Sequence, residues 1–259
     1  MICRNYRDGQ KLDVSGLNEI TVLLDRSESG LTEIGYNKWS PNQDGPPHKH
    51  PDKDQVFYIH DGVGDVVLGG KKHSVKPGDL VYVPSGLLHQ TITTTPRPLC
   101  YVLFNVFNDA SKEGHLTFAD HIEKVKLIRR AQADSGRSDA DGISADPVKN
   151  EPVVLQQIFK PGENGVTTET PGVLLDWNMT NRFEFRIEWL EADLSRVLPA
   201  HNNVEMAFFV LDGKLQAESD DTNIEIREGD LFFIPAGIAC KLQAGDKGSF
   251  LLQISSSLR

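Results

Sequence analysis

His48, His50, Gln55 and His89 are the residues of this chain whose types and spacing could assemble a metal centre. His48 and His50 flank Lys49. In an extended strand, residues i and i+2 share a face, so the two imidazoles would point the same way. Gln55 opens the next apolar run, and His89 follows Pro84, Ser85 and Gly86 into a further strand-like stretch. Three imidazoles and an amide oxygen suit one divalent transition metal ion, with Fe, Ni, Mn, Zn and Cu all admissible. Four such ligands on an octahedral ion would leave two adjacent positions for water or substrate. None of the four is charged, so the ion would keep nearly all of its positive charge. An ion of that kind is a strong Lewis acid and favours an anionic, chelating small-molecule substrate, such as a carboxylate beside a carbonyl or hydroxyl. Lowering the pKa of an adjacent C–H or O–H suits enolisation, tautomerisation or isomerisation. Lys38, Tyr82 and Asn105 lie on strand-like segments that could line the same interior and are weaker catalytic candidates.

The residues that would hold these side chains in place occur twice. Gly62, Gly78-Asp79, Pro84 and Gly86 recur as Gly213, Gly229-Asp230, Pro235 and Gly237, at a constant offset (213 − 62 = 151). Gly62 and Gly78 mark tight reversals, while Pro84 and Gly86 shape the bend that delivers His89. At the same offset the four candidate ligands become Pro199, His201, Met206 and Cys240. A repeated scaffold without a repeated ligand set predicts two similar domains, the first carrying chemistry and the second with a degenerate metal site. His201, stripped of partners, reads as a pocket or core residue. His60, His73, His115 and His121 have no partner at a recognisable spacing and read as surface or turn residues.

Short runs rich in β-branched and aromatic residues dominate both halves, for example Gln55 to Ile59, Leu80 to Val83 and Tyr101 to Val106, then Phe183 to Leu190 and Met206 to Leu211. Gly, Pro and Asp punctuate them, which predicts antiparallel barrels or sandwiches. One segment departs from this rhythm. Thr117 with Asp120 resembles a helix cap, and Ile122, Val125 and Ile128 follow helical spacing, so a helix is expected over Thr117 to Ala133. The predicted domains are residues 1–134 and 153–259, separated by a Ser-, Gly-, Asp- and Pro-rich linker at 135–152.

At 259 residues, with 39% hydrophobic and 25% charged side chains, the chain has the composition of a globular protein with real cores. A net charge of −10 without long basic runs argues against nucleic acid and anionic membranes as partners. Cys3, Cys100 and Cys240 share no CxxC spacing, which fits a reducing compartment. The start of the chain has no signal-like apolar stretch and no segment is long enough to span a bilayer, so a cytoplasmic location is expected. A homodimer is left open.

The order HxH, amide, glycine, then glycine, PxG, histidine resembles the two motifs of the cupin superfamily, and its repetition resembles a bicupin. The resemblance implies an all-β fold of two tandem jelly-roll barrels with a short connecting helix. Gln55 stands where a glutamate is commoner, and Thr93 where the second motif often ends in asparagine. The set His48, His50, Gln55 and His89 is similar to that of two cupin groups. One opens or tautomerises unsaturated uronates, and the other is a bicupin isomerase of bacilysin biosynthesis. The implied function is a metal-dependent isomerase or tautomerase of a small oxygenated acid, sugar-derived or keto. The uronate enzymes are single cupins and use charged residues on a late strand, where this chain offers only Asn105. A metal-dependent dioxygenase, with Phe57 in an apolar wall, and a non-catalytic sugar- or metabolite-binding bicupin stand as alternatives. Gln55 speaks against an oxalate-type decarboxylase.

Overall fold

The computed structural model describes residues 1–135, 150–156, 172–220 and 222–258. In chain order its strands are β1 (Ile2–Asn5), β2 (Gln10–Val14), β3 (Asn18–Leu24), β4 (Thr32–Trp39), β5 (Lys53–Asp61), β6 (Gly64–Leu68), β7 (Lys71–Val75), β8 (Leu80–Val83), β9 (His89–Ile92), β10 (Leu99–Phe107), β11 (Val153–Leu155), β12 (Gly172–Leu175), β13 (Phe183–Leu190), β14 (Ser195–Leu198), β15 (Val204–Ser219), β16 (Thr222–Arg227), β17 (Asp230–Ile234) and β18 (Cys240–Ser257). The helices are α1 (Phe118–Ser135) and α2 (Trp177–Thr180). The chain forms two compact units. One holds the described residues of Gln10–Ser27 and Thr32–Lys160, the other those of Met1–Gly9, Glu28–Leu31 and Pro161–Arg259.

In the first unit a seven-stranded sheet runs β11-β8-β5-β10-β4-β3-β2, and a three-stranded sheet runs β7-β6-β9, with antiparallel pairings throughout. Side-chain alternation sends Gln55, Phe57 and Ile59 to one face of β5, and Tyr101, Leu103 and Asn105 to one face of β10. The apolar members of that face join Trp39, Val66, Leu68 and Val81 in one buried cluster, so the two sheets enclose a common interior. Each large apolar side chain buried this way contributes about 2–3 kcal/mol. Gly62 makes the reversal out of β5 with φ of 79°, and a Cβ there would sit 2.0 Å from the Pro98 carbonyl oxygen. Only glycine fits such a position.

Helix α1 begins as the sequence suggests. The Asp120 N–H donates to Thr117 Oγ1 and the Thr117 N–H to Asp120 Oδ2, a reciprocal capping box. Phe118 and Ile122 then pack on Val14, Ile20 and Val22, which lays α1 against β2 and β3. Most of the expected linker, residues 136–149, lies outside the described residues.

The second unit is built on an eight-stranded sheet with the path β1-β17-β15-β18-β13-β12 and with β14 and β16 as side branches. Leu198, Met206, Phe208, Phe232, Cys240 and Leu242 belong to one apolar cluster of buried side chains. Met206 and Cys240, which stand where the first copy has two candidate ligands, are core residues. His201 is exposed and is neither a pocket nor a core residue, contrary to expectation.

The compact units also differ from the contiguous division expected at 134 and 153. Strand β1 pairs with β17, from Ile2 opposite Phe233 to Asn5 opposite Asp230, and so belongs with the second unit. Strand β11 pairs with β8, Val153 opposite Tyr82, and belongs with the first. One edge of each of the two large sheets thus recruits a strand remote in sequence, which satisfies edge N–H and C=O groups.

Candidate metal centre

Backbone pairing sets the first two imidazoles side by side. The His48 N–H donates to the His89 carbonyl and the His89 N–H to the His48 carbonyl, both at 2.9 Å, so the two residues form an antiparallel bridge. Residues opposed in this way project to the same face, and their ring centroids lie 4.3 Å apart. His50, two residues on, faces the same space, 5.0 Å from the His48 ring and 5.5 Å from the His89 ring. The Gly86 N–H holds it there by donating to the His50 carbonyl at 2.8 Å, and Gly86 bends with φ of 83°. One ring nitrogen from each of the three histidines falls within a 4.8 Å cluster.

The protonation pattern leaves lone pairs facing inward. His48 Nδ1 lies 2.9 Å from the Pro46 carbonyl oxygen, and His89 Nδ1 lies 3.0 Å from that of Leu87. A carbonyl oxygen only accepts, so each Nδ1 carries a proton, and in the neutral ring of His89 Nε2 is left as a donor atom for a cation. His89 Nε2 is buried without a partner, and so is Gln55 Oε1. Burial pushes the His89 pKa down to about 3, with His48 and Lys53 adding repulsion against the partial support of the Leu87 carbonyl. Burial also holds His50 well below 6.5, helped by Lys53, His48, His89 and His121. Neutral imidazoles are the state that metal ligation requires. Two orphaned buried acceptors, His89 Nε2 and Gln55 Oε1, beside the imidazoles of His48 and His50 fit a divalent cation.

Gln55 lines the same cavity of about 390 Å³ as the three histidines. Its Nε2 donates to Asn105 Oδ1 at 2.9 Å, which turns Oε1 away from Asn105. Trp39, Phe57 and Tyr101 form an apolar wall; Phe57 stacks on Tyr101 at 4.7 Å, and the Tyr101 hydroxyl accepts from Asn37 and Trp39 at 2.9 Å each. Lys49, Lys53 and Lys124 line the cavity, and among the described residues no aspartate or glutamate does. Lys53 is only 2% exposed, with Nζ 5.2 Å from the centre of the Phe107 ring, and no carboxylate pairs with it among the described residues.

Several expectations are corrected. His121 is neither a surface nor a turn residue: it is buried on α1, lines the cavity, and lies 6.4 Å from the His50 ring with an unpartnered Nδ1. Burial, then Lys53 and Arg26, push its pKa far down. The signal was legible, since Phe118, His121, Ile122 and Val125 follow i, i+3, i+4, i+7 spacing and share one helix face. Lys38 is exposed and does not line the cavity. Tyr82 is buried but points elsewhere, donating to Asp54 Oδ2 at 3.1 Å. Asn105 does line the cavity, as a partner of Gln55. His60 is engaged with the Tyr36 hydroxyl at 2.9 Å. Lys53 was missed because a lysine at a strand start carries no sequence mark of burial.

Residues 36–105 match the family model described as Cupin domain. An uncharacterised protein of Aquifex aeolicus (strain VF5) is 30% identical over 59 residues, 23% of this chain and 49% of that protein. The chain thus spans about half the length of the curated relative it matches. Among solved structures, it is similar to the 11S globulin of Wrightia tinctoria, with a TM-score of 0.65, 13% identity, and coverage of 96% of this chain and 82% of that one. It is similar to salicylate 1,2-dioxygenase of Pseudoaminobacter salicylatoxidans in complex with gentisate, at TM-score 0.61, 13% identity, 88% of this chain and 69% of that one. Oxalate decarboxylase of Bacillus subtilis matches at TM-score 0.59, 15% identity, 100% of this chain and 79% of that one. These likenesses define a fold: the chain is all-β, with two tandem cupin barrels, and the first carries a histidine cluster that could hold a metal ion. No helix among the described residues is long and apolar enough to cross a membrane.

Proposed function

We propose that the protein is a metal-dependent isomerase or tautomerase of a small oxygenated acid, with His48, His50, Gln55 and His89 as the ligands. The observation that carries this reading is a cavity with unpartnered, inward-facing acceptor atoms, three lysines and, among the described residues, no acidic lining residue. In a chain of net charge −10 that local balance selects an anion. When bound, a divalent ion would supply Lewis acidity toward a carbonyl or hydroxyl oxygen of the substrate.

The protein's own side chains do the rest. Lys53 meets the substrate carboxylate in a site from which water is largely excluded, where its charge acts strongly. Trp39, Phe57 and Tyr101 hold the carbon skeleton and keep solvent away. His121 is the cavity imidazole outside the ligand set, and its unpartnered Nδ1 is available to accept or return a proton. An anionic substrate would offset the Lys53 and Arg26 charges that depress it and so strengthen it as a base. The neutral donor set is similar to that of the uronate-opening cupins and of the bacilysin-pathway bicupin isomerase, which supports the same reaction class. The apolar wall supports a second reading, a metal-dependent dioxygenase.

The test begins with elemental analysis of protein purified without chelators or a metal-affinity tag. About one metal ion per chain is expected, and no metal with no uptake of Fe, Ni, Mn or Zn would overturn the reading. Proton NMR of 2-oxo and uronic acids in deuterated water then separates the classes. Deuterium exchange or isomer interconversion without oxygen consumption marks the isomerase. Oxygen uptake marks the dioxygenase, and thermal stabilisation with unchanged ligand marks a binding module.

A further inference from the structure

Gln55 belongs to a row of buried polar side chains that crosses three strands. Glu33 on β4 lies opposite Asn105 on β10, and Asn105 lies opposite Gln55 on β5. Their exposures are 0%, 1% and 5%. Behind Glu33 stands Arg26, 1% exposed, with Nε donating to Glu33 Oε2 at 2.6 Å. Asn105 Nδ2 donates to Glu33 Oε1 at 2.8 Å, and Gln55 Nε2 donates to Asn105 Oδ1 at 2.9 Å.

The direction of this chain is fixed from its far end. A guanidinium only donates and a carboxylate only accepts, so Asn105 must turn its amide nitrogen to Glu33 and its oxygen to Gln55. Gln55 must then turn its nitrogen to Asn105 and its oxygen into the cavity. The O/N assignment of both amides follows from chemistry rather than from their shapes. A carboxylate at position 55 would set two acceptors against each other at the Asn105 contact. Rotating Asn105 would only move the conflict to Glu33.

We infer that the Arg26–Glu33–Asn105 row makes position 55 an amide and aims its oxygen at the cavity, so that the negative charge a glutamate ligand would bring stands two side chains away, on Glu33. Glu33 and Asn105 are positioning residues. The inference deepens the proposed metal site, but its stability consequence holds in the metal-free protein and does not depend on that reading.

A double-mutant cycle tests it. Gln55→Glu alone should lower the Tm of the metal-free protein by roughly 5–10 °C, as expected for a buried polar pair left in conflict. Glu33→Gln alone should also lower it, because buried Arg26 loses the carboxylate it pairs with, while the amides of the row can reverse and turn Gln55 Nε2 into the cavity. In the double variant every bond of the row can reverse: the amide introduced at position 33 accepts from Arg26 and donates to Asn105, which in turn donates to the carboxylate introduced at position 55. The Tm loss of the double should fall well short of the sum of the singles. Additive losses, or a Gln55→Glu variant as stable as the parent, would overturn the inference. The second readout is titration with Zn²⁺ and with Mn²⁺. Glu33→Gln should weaken binding about 10–100-fold by misdirecting Gln55, and the double should regain it. Non-additive Tm losses with no metal binding even by the parent would uphold the row and refute the metal reading.

Discussion

Lys53 is buried beside the ring of Phe107 with no carboxylate to neutralise it among the described residues. A cation in that position costs stability, and ligand recognition is a reason to keep it. Lys53→Met should therefore raise the Tm by several degrees while weakening binding of the acid substrate about 10–100-fold; a variant less stable than the parent would contradict this. The histidines make a second residue-level prediction. His89 titrates at about 3 rather than 6.5 in the folded chain, and His50 and His121 are also depressed. Between those values the unfolded chain binds protons that the folded chain does not. Stability of the metal-free protein is thus full above about 6.5 and falls as pH drops through that window, by up to about 1.4 kcal/mol per pH unit for each histidine. Denaturant midpoints at about pH 7.5, 6 and 5 check it, and an unchanged midpoint would count against neutral buried imidazoles.

At the scale of elements, α1 contributes both a wall and the His121 imidazole to the cavity of the first barrel. Phe118, 2% exposed, fastens it to Ile20 and Val22. Phe118→Ala should cost about 3–5 kcal/mol if α1 stays docked over the resulting void, and should raise the hydrogen exchange of residues 118–128. A stable variant with unchanged exchange would mean that the helix is held by other contacts. The strands and turns were legible in sequence because Gly62, Pro84 and Gly86 punctuate them locally and alternation fixes their faces. The grouping of His48, His50 and His89, with Gln55 on the same cavity, was legible for the same reason: HxH on extended chain has one geometry. His121 went unread because its helix face was seen as apolar spacing and not as a wall of the site. The roles of Glu33 and Asn105 were hidden because cross-strand neighbours follow from register, which no local pattern encodes. The pairing of β1 with β17 is a case of the same kind, joining residues more than two hundred positions apart.

At the scale of the molecule, the two barrels have diverged in what fills them. The first keeps a cavity and polar donors; the second packs Met206, Cys240 and a set of Phe and Leu side chains into the equivalent interior. His201→Ala should leave metal content and Tm unchanged, since an exposed side chain without partners at ligand spacing has little to lose.

The opposition between an acidic chain and a basic cavity also has a kinetic consequence. An approaching carboxylate is repelled by the molecule as a whole and attracted only once inside a few ångströms of Lys53, so capture has a long-range barrier before a short-range well. Salt screens the former more effectively than the latter, because the Debye length shrinks to about 10 Å at 0.1 M while the buried charge stays poorly screened. Association should accordingly speed up as ionic strength rises, the reverse of ordinary electrostatic steering. Stopped-flow measurements across a salt series would see it as an on-rate that climbs while the final affinity changes little, and a falling on-rate would place the dominant field in the cavity.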